Sequence, residues 1–203
     1  MGDINSALVS ILEEYLKGSE KQESKKGAVV LIDMGNFNFA LEQVKRKQHI
    51  KANKKLNFHS LIDFLTHNKD ILVKKVYYPL CIDEAKELGQ RKFIAYLANN
   101  GFEVLAKKPK TIKSDEGCSY QKNNMDVEIA FDISRIVHEE SCEEIMLFSG
   151  DSDFDYAVQQ ARLYNIKVTI VSSLNTISRE LIDSADKYVM LDHIPLEMFC
   201  SNR

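Results

Sequence analysis

Six short apolar runs alternate with helix-length segments through most of this chain, and that alternation restricts the fold more than any single motif. AVVLID (28–33), ILVKKVYYPL (71–80), FEVLAK (102–107), EIMLFS (144–149), KVTIVSS (167–173) and KYVML (187–191) read as strands. The stretches 36–48, 58–67, 84–99, 127–137, 154–164 and 176–185 read as helices, the third closing at Asn100-Gly101. Residues 108–122 read as a polar loop. Strands that are apolar throughout are buried on both faces, and strands separated by helices of about a dozen residues pair in parallel. The expectation is an α/β domain with a mostly parallel central sheet flanked by helices. No internal repeat interrupts this order.

The segment before the first strand has a different character. Leu8, Ile11, Leu12, Tyr15 and Leu16 recur at helical spacing, giving one apolar stripe, and the polar stretch GSEKQESKKG follows at 18–27. Such a stripe is suited to packing back on the domain, or to pairing with a second copy or a partner protein. The division is therefore a helix and linker at 1–27, a domain at 28–192 and a C-terminal tail at 193–203. The first residues carry Asp3, Glu13 and Glu14 with no basic stretch, unlike a secretory signal, and no apolar run is long enough to span a membrane. Cys81, Cys118, Cys142 and Cys200 form neither a CxxC pair nor a Cys/His cluster, which points to a reduced, cytoplasmic setting without zinc.

In an open parallel sheet, functional groups collect beyond the carboxyl ends of the strands. Two of the most apolar strands end in acid. AVVLI runs into Asp33, and EIMLFSG runs into Asp151, followed by Asp153 and Asp155. A third carboxylate, Asp126, opens the helix whose inward stripe reads Ala130, Ile133 and Val137; Glu128 then faces solvent and Asp132 borders the stripe. Each acid has an ordinary structural role open to it. Asp151 or Asp153 can cap the following helix, as can Asn36 after the first strand, and Asp126 suits a helix N-terminus. Three separate elements delivering hard oxygen ligands to one sheet edge nevertheless describe a magnesium or manganese site, with Asp33, Asp126 and Asp151 as ligands.

Other chemistries fit poorly. DSDFDY begins like a calcium loop, but Tyr156 and Arg162 stand where glycine and glutamate are required. There is no G-x-G-x-x-G, Walker A or G-x-S-x-G motif. A DxD turn also occurs in topoisomerase-primase-like domains, which need glutamate after the first strand, where this chain has Asp33.

Taken together, AVVLIDMGN, NNMDVEIAFD and LFSGDSDF, in this order, resemble the NYN-domain (LabA-like) family of PIN-like nucleases, and ISRELIDSADKYVML resembles its closing helix and strand. The resemblance covers residues 28–191. It departs from the family where a proline often follows the DF, since Asp155-Tyr156-Ala157 stands there. It implies a PIN-like three-layer fold and a metal-dependent ribonuclease, with Asp33, Asp126 and Asp151 as metal acids and Asn36 and Asp153 in support.

Charge is unevenly spread, although the net value is only −3. Residues 44–55 carry Lys45, Arg46, Lys47, Lys51, Lys54 and Lys55 without an acid. Lys107, Lys108, Lys110, Lys113 and Lys122 lie in or beside the 108–122 loop, which leads directly to Asp126. Both groups are candidates for RNA phosphates, the second because it should overhang the acidic edge. Tyr120 and Phe37 are candidates for stacking on a base, with core packing the simpler role for each. Alternatives to a ribonuclease are a non-catalytic RNA-binding or regulatory module and a DNA structure-specific nuclease.

Overall fold

In the computed structural model, the described residues are 27–202 apart from 52, 82, 109, 114–118, 123–124 and 140. The amphipathic segment expected at 8–16 lies outside them.

The chain forms β1 (Ala28–Asp33), α1 (Met34–Lys47), β2 (Lys54–Leu56), α2 (Phe58–Thr66), β3 (Ile71–Pro79), α3 (Glu84–Asn99) and β4 (Glu103–Lys107). A hairpin follows, β5 (Lys110–Lys113) and β6 (Ser119–Lys122), then α4 (Asp126–His138) and β7 (Glu144–Phe148). A short 3₁₀ turn at Ser152–Phe154 leads into α5 (Asp155–Leu163), β8 (Lys167–Ser172), α6 (Arg179–Ser184), β9 (Lys187–Met190) and, after two further 3₁₀ turns, β10 (Cys200–Asn202).

Six strands make one sheet in the order β4-β3-β1-β7-β8-β9, parallel throughout. β1 is central and every residue in it is buried, which is why its sequence does not alternate. The chain works outward from β1 through β3 to β4, crosses back, and continues on the other side through β7. That reversal puts the switch point of the sheet between β1 and β7. It also puts helices on both faces. Val30, Ile32 and Phe148 pack under α1 and α2, with Leu97 of α3 in the same cluster. Leu31, Ile145 and Leu147 pack under α4 and α5, with Leu181 of α6. The result is a three-layer α/β fold, in agreement with the sequence.

Helix boundaries follow local chemistry. Asp33, Asn57 and Ser178 cap α1, α2 and α6 through their side chains. α3 ends where Gly101 adopts a φ of 78°, a backbone conformation that glycine reaches without strain.

Three features depart from the sequence reading. Residues 108–122, expected as a loop, contain the β5–β6 hairpin, with Lys110 opposite Lys122 and Ile112 opposite Tyr120. Four-residue strands of mixed polarity carry too little periodicity to detect. The helix expected from Thr176 starts at Arg179, because the Thr176 amide donates a hydrogen bond to the Ser173 carbonyl (3.0 Å) in a turn and the Ser178 amide donates to the Gly150 carbonyl (2.9 Å). Finally, the tail is built into the domain. Leu196 is buried in the α1–α2 core, and β10 pairs antiparallel with β2, a strand the sequence did not reveal.

Candidate active site

Asp33 is the last residue of β1, and burial of its strand leaves the side chain only 8% exposed at the switch point. Its Oδ1 accepts the backbone amides of Gly35 (3.1 Å) and Asn36 (3.3 Å), and its Oδ2 accepts the Ser149 hydroxyl (3.2 Å). The cap of α1 and the end of β7 are thereby joined at one carboxylate. Burial pushes the Asp33 carboxyl above its ordinary value, and the Asp126 carboxylate adds to the rise, against the amide of Asn36 and the hydroxyl of Ser149. Asp126, in the first turn of α4, is near enough for its charge to act on Asp33, and it is also favoured by the helix N-terminus.

The β7 side of the crevice is fixed by Asn36. Its Oδ1 accepts the Gly150 amide at 2.9 Å, so the first turn of α1 sets the height of the turn after β7. A Cβ at position 150 would lie 2.2 Å from the Thr176 carbonyl oxygen and 2.7 Å from the Ser172 hydroxyl, so only glycine passes there. Ser172 and Ser173 hydrogen-bond the Thr176 hydroxyl at 2.8 and 2.9 Å, and with Ser149 they leave a floor of buried hydroxyls beneath β7 and β8. Asp151 accepts the Asp153 amide at 3.1 Å and caps the 3₁₀ turn, while Asp153 is exposed at the rim.

Asp33, Asn36, Asp126, Asp151 and Asp153 therefore share the carboxyl edge of the sheet, as the sequence predicts. Their side chains are arranged differently. Among the described residues, no three His, Cys, Asp or Glu side chains are gathered closely enough to hold an ion between them. The three carboxylates of Asp33, Asp126 and Asp151, expected to converge on one ion, are not gathered that closely in this arrangement, and Asp151 accepts the Asp153 amide. The donor set still fits a hard divalent cation. A cation at Asp33 and Asp126 would offset the like-charge repulsion between them and oppose the effect of burial, and magnesium is commonly held by one or two carboxylates with water completing its shell.

The helical wheel of α4 also needs correction. Its buried residues are Ile129, Asp132, Ile133, Ile136 and Val137, so the stripe is rotated toward Ile129 from the expected Ala130 line. Glu128 consequently does not face solvent; it is half-buried and pairs with Lys107 at 2.5 Å. Asp132, ambiguous in the sequence, is buried and accepts from Lys75 (2.5 Å) and from the Tyr77 hydroxyl (2.6 Å). Ser149 and this Lys75–Tyr77–Asp132 group were not singled out in the sequence. The alternation in KKVYY, which turns Lys75 and Tyr77 to the α4 face of β3, was the available signal.

The two basic groups separate. α1 runs from Asp33 away from the crevice, and its 14 residues put Lys45, Arg46 and Lys47 about 20 Å down the helix, at the opposite edge. There Lys45 pairs with Glu42, Lys47 with Asp192, and Lys54 with Glu197. The last turn of α1 favours Lys45, Arg46 and Lys47 through the helix dipole, and Lys54 is held by its ion pair. β4 ends at Lys107 on the carboxyl edge of the sheet, exposed Lys108 comes next, and the hairpin carrying Lys110, Lys113 and Lys122 follows and leads into α4. Phe37 is fully buried against Phe58 and Phe148, which removes it as a stacking residue. The Tyr120 side chain lies outside the described set.

These features define an α/β domain with a carboxylate crevice at the switch point of a parallel sheet. Residues 27–192 match the model of the NYN domain, and the chain belongs to that nuclease-like, PIN-like family. It is similar to the "low amplitude and bright" protein LabA of Synechococcus elongatus, 29% identical over 136 residues that cover 66% of this chain and 71% of the relative. It is also similar to the crystal structure of a protein of unknown function from Vibrio parahaemolyticus. That similarity is 27% identity with a TM-score of 0.65, covering 86% of this chain and 97% of the other. Members of this class typically use divalent metals. No helix among the described residues is long and apolar enough to cross a membrane.

Proposed function

We propose that this domain is a metal-dependent ribonuclease that hydrolyses RNA phosphodiester bonds at the β1–β7 crevice. The observation that carries the reading is the buried carboxylate Asp33 at the end of β1, held by the Ser149 hydroxyl after β7 at the point where the sheet order reverses, with the Asp126 charge acting on it. Asp33 and Asp126, with Asp151 beside them, are the residues that would hold magnesium or manganese. When bound, such an ion lowers the pKa of a coordinated water and offsets charge on the phosphate.

The remaining roles belong to the protein. Asn36, with its Oδ1 committed to the Gly150 amide, keeps its NH₂ group for a phosphate oxygen. The hydroxyl of Ser149 orients Asp33, and the exposed carboxylate of Asp153 can accept a hydrogen bond from an attacking water at the rim. The lysines at the end of β4 and on the hairpin supply backbone attraction next to the crevice.

Single-stranded RNA, duplex RNA and DNA incubated with magnesium, manganese or EDTA test this reading. Cleavage of RNA by wild type, dependent on the ion and lost in Asp33→Asn and Asp126→Asn, is expected. The commitment of the Asp151 carboxylate to a cap favours a second reading, a non-catalytic RNA-binding or regulatory module. Tight RNA binding without cleavage under any ion would establish that reading, and preferential cleavage of branched DNA would replace both.

A further inference from the structure

The outer surface between α4 and α5 is apolar and open. A groove of about 410 Å³ runs between the helices, lined by Ala130, Ser134 and Val137 on one side and Tyr156, Gln160 and Tyr164 on the other. Val127 (74% exposed) and Phe131 (69%) extend the α4 side, and Tyr156 is 72% exposed. Isolated apolar residues on a surface need no explanation, but aromatic and branched side chains grouped along two adjacent helices mark a surface that something covers. The groove itself offers His138 as its one side chain able to carry a positive charge, which does not suit a polyphosphate.

We infer that the groove is covered by the chain's own N-terminal segment, with Leu8, Ile11, Leu12, Tyr15 and Leu16 seated between α4 and α5. Three observations support that occupant. The segment carries an apolar stripe at helical spacing over residues 8–16, about 13 Å as a helix, on the scale of the nine-residue α5. A helix this short gains little stability in water by itself and depends on a surface to bury its stripe. The chain also enters the domain in the right place. The Gly27 carbonyl accepts the Glu143 amide at 2.9 Å, and the Glu143 carbonyl accepts the Lys167 amide at 3.0 Å, so β1, β7 and β8 begin together. That foot of the sheet is where α4 and α5 end, at His138 and Leu163. Residues 17–26 extend to about 34 Å, more than the length of α4, so the segment reaches the groove of its own chain without strain.

Hydrogen–deuterium exchange on the full chain, read by mass spectrometry beside its mass from light scattering, tests the assignment. In the monomer, amides of residues 8–16 should be protected. Protection there should be lost in the pair Phe131→Asp and Tyr156→Asp, and equally in Leu12→Asp, which should also speed exchange in peptides from α4 and α5. Leu12→Asp leaves the folded domain unaltered, so it decides the matter even if the double variant unfolds. Absence of protection in wild type, protection that survives both sets of substitutions, or protection confined to a dimeric fraction would overturn it, the last in favour of a second copy.

Discussion

Asp151 has two separable duties. Its Oδ1 caps the 3₁₀ turn through the Asp153 amide, and its charge sits beside the proposed ion site. Asparagine caps about as well as aspartate, whereas alanine does not. Asp151→Ala should therefore lose about 1 kcal/mol of stability with or without metal. Asp151→Asn should match wild type in EDTA. Both should lose most of the stabilisation that wild type gains from manganese, about 2.7 kcal/mol at a hundredfold excess over Kd. Urea melts of the three proteins decide this, and an Asn variant that keeps the full manganese gain would leave Asp151 as a cap alone. The sequence placed Asp151 at the correct edge because strand ends are legible. It did not give the direction of the carboxylate, because a cap and a ligand use the same residue at the same spacing. Ser149 was invisible for a similar reason: a buried serine after an apolar strand carries no pattern until the Asp33 oxygen is placed 3.2 Å from it.

At the level of elements, β3 and α4 are joined by a polar group inside an apolar layer. Burial alone would raise the Asp132 carboxyl, but the hydrogen bonds from Lys75 and Tyr77 and the Lys75 and Arg135 charges outweigh it, and its pKa lies below the ordinary value. Burial and the adjacent Asp132 push the Tyr77 phenol far up, so it stays a donor throughout the working range. A depressed carboxyl binds its proton more weakly when folded than when unfolded. The stability it contributes is fully present above its ordinary value of 3.8 and is lost as pH falls through the lower folded value. Urea unfolding between about pH 5 and pH 2 should show this decline in wild type, and Asp132→Asn should flatten the acid limb while lowering the plateau. Tyr77→Phe, which removes a hydrogen bond to a charged group, should cost about 1.5–3 kcal/mol at neutral pH. The main strands and helices were legible because continuous apolar runs and helical spacing survive tertiary context. β2, β5, β6 and β10 were not, since strands of three or four mixed residues form only when a distant partner is supplied.

For the molecule as a whole, topology decides which charges can serve the crevice. Lys45 and Lys47 lie in the last turn of α1, at the far edge, and are paired, whereas the hairpin that carries Lys110 and Lys122 leads into α4, which opens at Asp126. Replacing Lys108, Lys110 and Lys122 with glutamate should weaken RNA binding and flatten its salt dependence. Each lost single-strand phosphate contact lowers the slope of log K against log salt by about 0.7. Arg46→Glu, an exposed change at the other edge, should leave that slope unaltered. Fluorescence anisotropy over a salt series measures both, and an equal effect of Arg46 would mean that RNA wraps the whole sheet rather than one edge.

The pairing of β10 with β2 bears on the order in which the protein is completed during synthesis. The layer of α1, α2 and α3 is formed by residues before 100, yet its core includes Leu191 and Leu196, and β2 has no partner until residues 200–202 arrive. The opposite layer has its last buried side chain at Leu181. A ribosome-bound chain therefore exposes one unfinished apolar face for longer than the other. Contacts between residues so distant in sequence are also the slowest to close. Chaperone engagement and arrest-peptide force should accordingly concentrate on the α1–α3 side, and removal of residues 191–202 should trap the nascent domain in that state.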